Sequence, residues 1–302
     1  MAEEAPFLGE QFLARLERLR LHVRKSLAGH LRADRRSRRV GSSLEFADYR
    51  NYASGDDPRR IDWSIYGRLD RLMTKLYEEE EDLEVTILLD ASRSMRWRAP
   101  SEPISIKWQL ARQVAAALAY LGLQGLDRIG VCYFDSSLRG ESGLFRGRSA
   151  FSSVVRFLEN PPAPGEGGTD LAESLNRFTR KNRRRGLAIV LSDCLDPAGF
   201  EKGLSAITNR HFALHLVHLL HSQECSPTEE GDLLVRDCET AAELPVTGSP
   251  ALRTAYENEV RQFRDELKTW CSRRGAGYSF LTADTSFEDV VWKILRQDRL
   301  LR

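Results

Sequence analysis

Short apolar runs recur along most of the chain, separated by segments whose apolar residues repeat at helical spacing. VTILLD (Val85–Asp90) is an apolar, β-rich run typical of a strand buried in a parallel sheet. Similar runs predict four more strands, at Ile129–Phe134, Ala188–Ser192, Ala213–Leu219 and Tyr278–Leu281. Helical periodicity predicts helices near residues 105–124, 149–158, 170–181, 198–209, 250–273 and 286–298. This alternation predicts an α/β fold: a three-layer α/β/α, doubly wound, mostly parallel sheet that is Rossmann-like.

The first 82 residues follow a different pattern. Apolar residues at helical spacing predict one amphipathic helix over residues 9–28. A basic segment without apolar period follows (Arg32–Arg39), and then an aromatic-rich and turn-rich stretch (Leu44–Tyr77) that ends in an acidic run. We therefore expect an N-terminal helical and irregular accessory segment over residues 1–82 and the α/β domain over residues 83–302. Within that domain, residues 222–249 contain a predicted extra hairpin (DLLVRD) whose role the pattern does not indicate.

The composition is that of an ordinary globular protein. Of 302 residues, 41% are hydrophobic and 29% are charged, and the net charge of +1 gives no overall attraction to nucleic acid or lipid. No run approaches the ~20 apolar residues that span a bilayer, and the N-terminus lacks the pattern of a secretory signal. The five cysteines are widely spaced and form no CxxC pair, which argues against disulfides and thiolate zinc sites. We expect a reduced, cytoplasmic setting.

Three polar clusters fall where predicted strands end or helices begin. In open α/β sheets, ligands bind outside the carboxyl ends of strands, at the point where the topology reverses. The clusters offer two carboxylates and three hydroxyls, which are the hard oxygen ligands that Mg²⁺ prefers. Each cluster taken alone is also typical of a turn or a helix cap. The residues are Asp90, Ser92 and Ser94 after VTILLD, Thr169 before the helix near 170–181, and Asp193 after the strand that ends at Ser192.

This ordered set resembles the metal-ion-dependent adhesion site of von Willebrand factor A-type domains. That site consists of Asp-x-Ser-x-Ser, then a threonine and then an aspartate, and all five positions match here. The resemblance implies one bound divalent cation, Mg²⁺ or else Mn²⁺ or Ca²⁺. It also implies that the metal binds an Asp or Glu side chain from a partner protein.

An upstream block resembles the signature of the bacterial family called domain of unknown function 58. In that family, a Tyr-Arg-x-Tyr…Gly-Asp-Asp-x-Arg-x-Ile-Asp-Trp block precedes an A-type domain. The resemblance implies partnership with a MoxR-type AAA+ ATPase. Arg60 and Asp62 are candidates for charged contacts with the sheet domain. The residues of this block include Tyr49, Arg50, Gly55, Asp56, Asp57, Arg60, Asp62 and Trp63, and the arginine of the pattern falls on Arg59.

Other readings of the chain rest on weaker patterns. The histidines of Arg210–His221 would share one face of a helix, as in a zinc site, but the segment has the composition of a strand, so we expect buried or hydrogen-bonded histidines. The arginine runs lack the interleaved aromatics of a nucleic-acid site. No phosphate loop, HExxH or GxSxG motif is present.

We therefore expect an interaction module and not an enzyme. It would be a cytoplasmic adaptor or assembly factor that has no transmembrane segment and does not bind nucleic acid. One alternative is a Mg²⁺-dependent phosphoesterase that uses the same loops, because an open Mg²⁺ can activate water. Another is a nucleic-acid adaptor that uses the arginine runs.

Overall fold

The chain forms two compact units, described here from a computed structural model. The structure describes residues 14–17, 37–53, 56–79, 84–124, 127–165, 168–182, 184, 186–210 and 212–291, without the side chains of 37–48, 60 and 76–79. Residues 37–79 belong to the smaller unit, and residues 14–17 and 84–291 to the larger. Residues 14–17, which the predicted boundary assigns to the accessory segment, thus lie with the larger unit, and the boundary at residue 82 stays a prediction.

The smaller unit is an antiparallel ribbon with a short helix between its strands. Strand β1 (Ser37–Asn51) pairs with β2 (Met73–Glu79), with register shifts along the way. Between them lie a 3-10 turn (Pro58–Arg60) and helix α1 (Trp63–Leu69). We did not expect these strands, because β1 begins in a basic segment without alternating apolar residues.

The larger unit is built on a six-stranded sheet. Its order is β10-β7-β6-β3-β4-β5, and all neighbours are parallel except the β4–β5 pair. The chain runs outward from β3 to β5 and then returns to the other side of β3 with β6, so the topology reverses between β3 and β6. The strands are β3 (Glu84–Asp90), β4 (Arg128–Phe134), β5 (Leu138–Arg146), β6 (Leu187–Ser192), β7 (Ala213–Leu220) and β10 (Gly277–Thr282).

Helices connect and cover these strands, which confirms the predicted three-layer α/β/α fold. Apolar side chains of strands and helices form a continuous core that includes Leu88, Phe134, Phe178, Leu216 and Trp270. The helices are α2 (Ile106–Gln124), α3 (Phe151–Glu159), α4 (Leu171–Lys181), α5 (Glu201–Thr208), α6 (Ser222–Cys225) and α7 (Pro250–Arg273). Across the described part of the chain, no helix is long and apolar enough to span a bilayer.

The predicted elements of this unit are present within a few residues of their expected bounds. The extra hairpin is confirmed as β8 (Gly231–Arg236) paired with β9 (Glu243–Gly248). Of the expected terminal helices, residues 14–17 and 287–291 are helical, and the rest lie outside the described residues. Strand β5 was not predicted, because its charged residues and two internal glycines hide any apolar alternation.

Candidate metal site

The predicted Asp-x-Ser-x-Ser loop leaves β3 beside the point where the topology reverses. Asp90, Ser92 and Ser94 are all buried, with relative exposures of 0%, 2% and 5%. The Ser92 backbone N–H donates to Asp90 Oδ1 at 3.0 Å, and the two serine hydroxyls lie 2.9 Å apart. Hydrogen bonds therefore link these three residues on a loop that turns directly after β3.

The carboxyl group of Asp90 is buried, and burial disfavours its charged form. Its second oxygen, Oδ2, accepts a hydrogen bond of 2.5 Å from the hydroxyl of Ser192, at the end of the neighbouring strand. Burial, and then the charge of Asp193, raise the pKa of Asp90 to about 7. The buried carboxyl groups of Asp90 and Asp193 are thus close enough for their negative charges to repel each other. A cation bound between them would relieve that repulsion.

Asp193 is fully buried and forms an ion pair with a lysine. Its Oδ2 lies 3.0 Å from Lys107 Nζ, and its Oδ1 accepts a hydrogen bond of 3.2 Å from the Leu195 backbone N–H. The same ammonium donates to both oxygens of Glu224, at 2.7 and 2.8 Å. Burial alone would lower the pKa of Lys107, but Asp193 and Glu224 outweigh it and raise this pKa above its ordinary value.

Thr169 lies in the loop that enters α4, and this loop is anchored to the end of β4. The Ala91 N–H donates to the Phe134 carbonyl at 2.7 Å, and the Asp170 N–H donates to the adjacent Asp135 carbonyl at 3.2 Å. The loops after β3 and before α4 thus share one support. The Thr169 hydroxyl, however, donates to Glu239 Oε1 at 2.8 Å, and its backbone N–H donates to Glu239 Oε2 at 3.0 Å.

The structure therefore brings together four of the five predicted residues and gives the fifth another partner. Asp90, Ser92 and Ser94 are linked by hydrogen bonds, and the charge of Asp193 acts directly on Asp90. Within the described residues, no group of three His, Cys, Asp or Glu is arranged to hold a metal ion. The predicted set is of another kind, since it combines two carboxylates with hydroxyls.

The donor geometry fits a small hard cation. In an octahedral Mg²⁺ site with metal–oxygen distances of 2.0–2.1 Å, neighbouring ligand oxygens lie about 2.9 Å apart. The hydroxyl oxygens of Ser92 and Ser94 have that separation, 2.9 Å. In addition, the carboxyl groups of Asp90 and Asp193 are both fully buried, and the charge of Asp193 acts on Asp90. Three of the residues that would hold the ion, Asp90, Ser92 and Ser94, are thus already linked to one another.

Four further residues of this region escaped the sequence analysis. Ser192 was read only as a strand end, although it donates directly to Asp90. Lys107, Glu224 and Glu239 come from α2, α6 and the β8–β9 turn, far from the motif in sequence. The one signal available was Lys107 itself, a lysine at the start of an otherwise apolar helix.

The described histidines of Arg210–His221 are buried and hydrogen-bonded, as expected. His215 Nε2 lies 3.1 Å from the Ser279 hydroxyl, and His218 Nδ1 lies 3.0 Å from the Tyr278 hydroxyl. His221 Nε2 contacts Glu102 at 2.8 Å. Burial also lowers the pKa of His218 to about 3, so this ring is neutral in the fold. His211 lies outside the described residues.

The signature residues of the smaller unit bind one another. Asp62 begins α1, where it accepts hydrogen bonds from the Ser64 and Ile65 N–H groups, and it also binds the Tyr49 hydroxyl at 2.9 Å and Lys75 at 3.0 Å. Asp62 is thus held by contacts within its own unit, and its expected contact with the sheet domain stays a prediction. Gly55 and the side chain of Arg60 lie outside the described residues.

The remaining signature residues form turns or face solvent. Arg50 pairs with Asp56 at 2.7 Å, and Asp56 also accepts from the Ala53 N–H at 3.0 Å. Asp57 caps the 3-10 turn through the Arg59 N–H at 3.0 Å. Trp63, in contrast, is 63% exposed. Most of the described signature residues therefore fix the local backbone through hydrogen bonds and ion pairs, whereas Trp63 does not.

A family model of proteins of unknown function, DUF58, matches residues 48–266. The chain belongs to this family. The match begins in the smaller unit and runs through the site into α7, so this member has both the signature block and the Asp-x-Ser-x-Ser loop. Among curated relatives, an uncharacterized protein of Mycobacterium tuberculosis is 28% identical over 273 residues, which cover 90% of this chain and 84% of that protein. An uncharacterized protein of Mycobacterium avium is 29% identical over 147 residues, or 48% of this chain and 86% of that protein.

Several solved structures are also similar to this chain. An aerotolerance-related membrane protein from Bacteroides fragilis is 17% identical, with a TM-score of 0.45 over 71% of this chain and 98% of that one. The protein BatB from Bacteroides thetaiotaomicron is 16% identical, with a TM-score of 0.42 over 71% and 97%. A VWA domain, that of SpRpn10, is 12% identical, with a TM-score of 0.38 over 72% and 96%. Scores below 0.5 carry no functional weight.

Proposed function

We propose that this DUF58 protein is a metal-dependent interaction module that captures an acidic side chain of a partner protein. Asp90, Ser92, Ser94, Thr169 and Asp193 would hold one divalent cation, Mg²⁺ by preference. The observation that carries the proposal is the pair of hydroxyls of Ser92 and Ser94, placed 2.9 Å apart beside two buried carboxylates at the reversal of the sheet.

The character of these ligands favours capture of a further carboxylate. Three of the five proposed ligands are neutral hydroxyls, and Lys107 already neutralises one of the two carboxylates, so part of the charge of a bound Mg²⁺ would stay uncompensated. The metal would supply an electrophilic position that attracts an outside anion. The chain's own groups would orient that position, with Ser192 fixing Asp90 at 2.5 Å and the Leu195 N–H fixing Asp193 at 3.2 Å.

Lys107 is a cation beside the site that could compete with a metal. Its ammonium lies between Asp193 and Glu224, and its hydrogen bonds go to those two carboxylates. The hydrogen bonds of Asp90 go instead to Ser92 and Ser192. Lys107 therefore neutralises one side of Asp193 and leaves the Asp90 side available.

The partner we propose is a MoxR-type AAA+ ATPase that presents an Asp or Glu. This follows from the resemblance of the signature block, which the family match over residues 48–266 supports. A Mg²⁺-dependent phosphoesterase would need a general base, and no histidine lies in the three loops. We therefore favour capture of a partner's acidic side chain over phosphoester hydrolysis.

The direct test measures cation binding and partner capture together. The full chain and Asp90→Asn would be titrated with Mn²⁺ by electron paramagnetic resonance, and the AAA+ ATPase of the same genome would be co-purified in Mg²⁺ or in chelator. Asp135→Asn is the matched control, because Asp135 is also buried at a strand end but belongs to another hydrogen-bond set.

We expect the wild type and Asp135→Asn to bind one Mn²⁺ and to capture the ATPase only in Mg²⁺. Asp90→Asn should lose both properties and keep its circular dichroism spectrum. Equal capture in chelator would overturn the metal dependence. A wild-type chain that binds no Mn²⁺ would overturn the site.

A further inference from the structure

The turn of the β8–β9 hairpin places a carboxylate on Thr169. Glu239 Oε1 accepts from the threonine hydroxyl at 2.8 Å, and Oε2 accepts from the threonine N–H at 3.0 Å. Both oxygens of one carboxylate are thus bound to one residue of the proposed ligand set, across 70 residues of sequence. This is the kind of contact that an acidic group from outside would make there.

The loop has room for this carboxylate because residue 168 is a glycine. Gly168 has φ +71°, and a Cβ at this position would lie 2.9 Å from Glu239 Oε2. Any other residue would therefore push the carboxylate away, besides adopting a strained backbone. The loop before α4 therefore leaves space for an acidic side chain beside Thr169.

The hairpin holds Glu239 in position by its own turn. Asp237 Oδ1 accepts from the N–H groups of Glu239 and Thr240, at 2.8 and 2.7 Å. The turn also lies near the rest of the site: partial burial raises the pKa of the neighbouring Cys238 to about 11, and the charges of Glu239, Asp237 and Asp193 add to the effect. The turn therefore holds the carboxylate of Glu239 at the site.

We propose that Glu239 is an internal ligand that occupies the seat of the partner's acidic group and must leave before the partner can bind. This inference rests on the proposed function of the site, and it adds a closed state to it. The closed state reduces the apparent affinity for an outside carboxylate by the fraction of molecules that are open. The β8–β9 hairpin is then the element that opens.

The experiment uses Mn²⁺ as the metal and acetate as the carboxylate probe. Water-proton relaxation by Mn²⁺ bound to the full chain counts the exchangeable waters on the ion, and acetate that reaches the ion lowers the relaxation. The variants are Glu239→Gln, which removes the charge but keeps the size, and Glu243→Gln as a control. Glu243 is exposed in the same hairpin, at the start of β9.

We expect Glu239→Gln to bind Mn²⁺ as the wild type does, but to respond to acetate at concentrations about tenfold lower. Glu243→Gln should match the wild type. Equal acetate responses in wild type and Glu239→Gln, with normal Mn²⁺ binding, would overturn the internal ligand and leave the metal site standing. Loss of Mn²⁺ binding in Glu239→Gln alone would make Glu239 a metal ligand and would also overturn the inference. No Mn²⁺ binding in any chain would overturn the proposed function itself, and the inference with it.

Discussion

The Lys107 ammonium lies 3.0 Å from Asp193 Oδ2, and both side chains are wholly buried. Glu224, in α6, is the third member of this charged group. Its carboxylate also accepts a hydrogen bond of 2.6 Å from the His221 backbone N–H. One charged cluster therefore ties the start of α2, the end of β6 and the end of β7 together behind the proposed site. The position of Asp193 depends on this cluster.

Replacing Lys107 with methionine should destabilise the larger unit strongly. The substitution keeps the length of the side chain but leaves Asp193 and Glu224 without their counter-charge in a buried place. Breaking one member of such a pair costs about 3–5 kcal/mol. Chemical denaturation measures this loss, with Lys202→Met on the exposed face of α5 as control. A loss below about 1 kcal/mol for Lys107→Met would show that the cluster is not stabilising.

Replacing Asp90 with asparagine should abolish stabilisation by Mg²⁺. A ligand at 100 times its Kd stabilises the folded state by about 2.7 kcal/mol, which raises Tm by roughly 5–10 °C in a domain of this size. In chelator, Asp90→Asn should melt no lower than the wild type, because it removes the repulsion between Asp90 and Asp193. Differential scanning fluorimetry with and without Mg²⁺ checks both statements. A Mg²⁺-dependent shift that survives in Asp90→Asn would contradict the ligand assignment.

The smaller unit should lose stability in acid through Asp62. Lys75 and then Tyr49 lower the pKa of Asp62 from an ordinary 3.8 to about 2. A lowered pKa means that the unfolded chain takes up the proton first, so the contribution of Asp62 is complete above pH 3.8 and is lost as the pH falls through 2. Asp62→Asn should therefore be less stable than the wild type at pH 6 and closer to it at pH 2.

Hydrogen exchange of the α1 and β2 amides, corrected for intrinsic rates, measures this difference locally. Asp70→Asn is the control, since Asp70 is exposed and its φ of +51° is one that asparagine adopts readily. A stability difference for Asp62→Asn that stays constant from pH 6 to pH 2 would exclude the carboxylate as its source.

Trp63 should contribute little to folding. It is 63% exposed and contacts Tyr66 edge-on, with ring centroids 6.2 Å apart. Trp63→Ser should change the free energy of unfolding by no more than about 0.5 kcal/mol. Trp108→Ala, which removes a buried ring packed near Tyr133, should cost about 3–5 kcal/mol in the same assay. A large loss for Trp63→Ser would mean that the ring is covered.

The strands that carry the site could be predicted because they are buried on both faces. Such strands are short, continuous apolar runs, and Asp90 and Asp193 stand at or just past their ends. The pattern of β5 could not be read, since a strand at the edge of a sheet is only partly buried and its charged residues face solvent. The ribbon of β1 and β2 was missed because β1 begins in a basic segment without alternating apolar residues.

The surroundings of the site were beyond the sequence because they depend on contacts between distant segments. No spacing rule links Lys107 to Asp193, 86 residues away, or Glu239 to Thr169. The hairpin itself was predicted from its alternation, but its role became visible only when its turn was placed on the loop before α4. The bound metal, the ATPase partner and the cytoplasmic setting stay predictions.

The edge strand β5 also affects whether copies of this protein can associate through their sheets. Among the described residues no strand pairs with its outer edge, and in a flat, apolar strand such an edge would recruit a neighbouring molecule into a continuous sheet. Here the pairing with β4 is interrupted by two register shifts, and Glu141 and Lys181 form an ion pair beside it. An irregular and charged edge of this kind disfavours edge-to-edge pairing between copies.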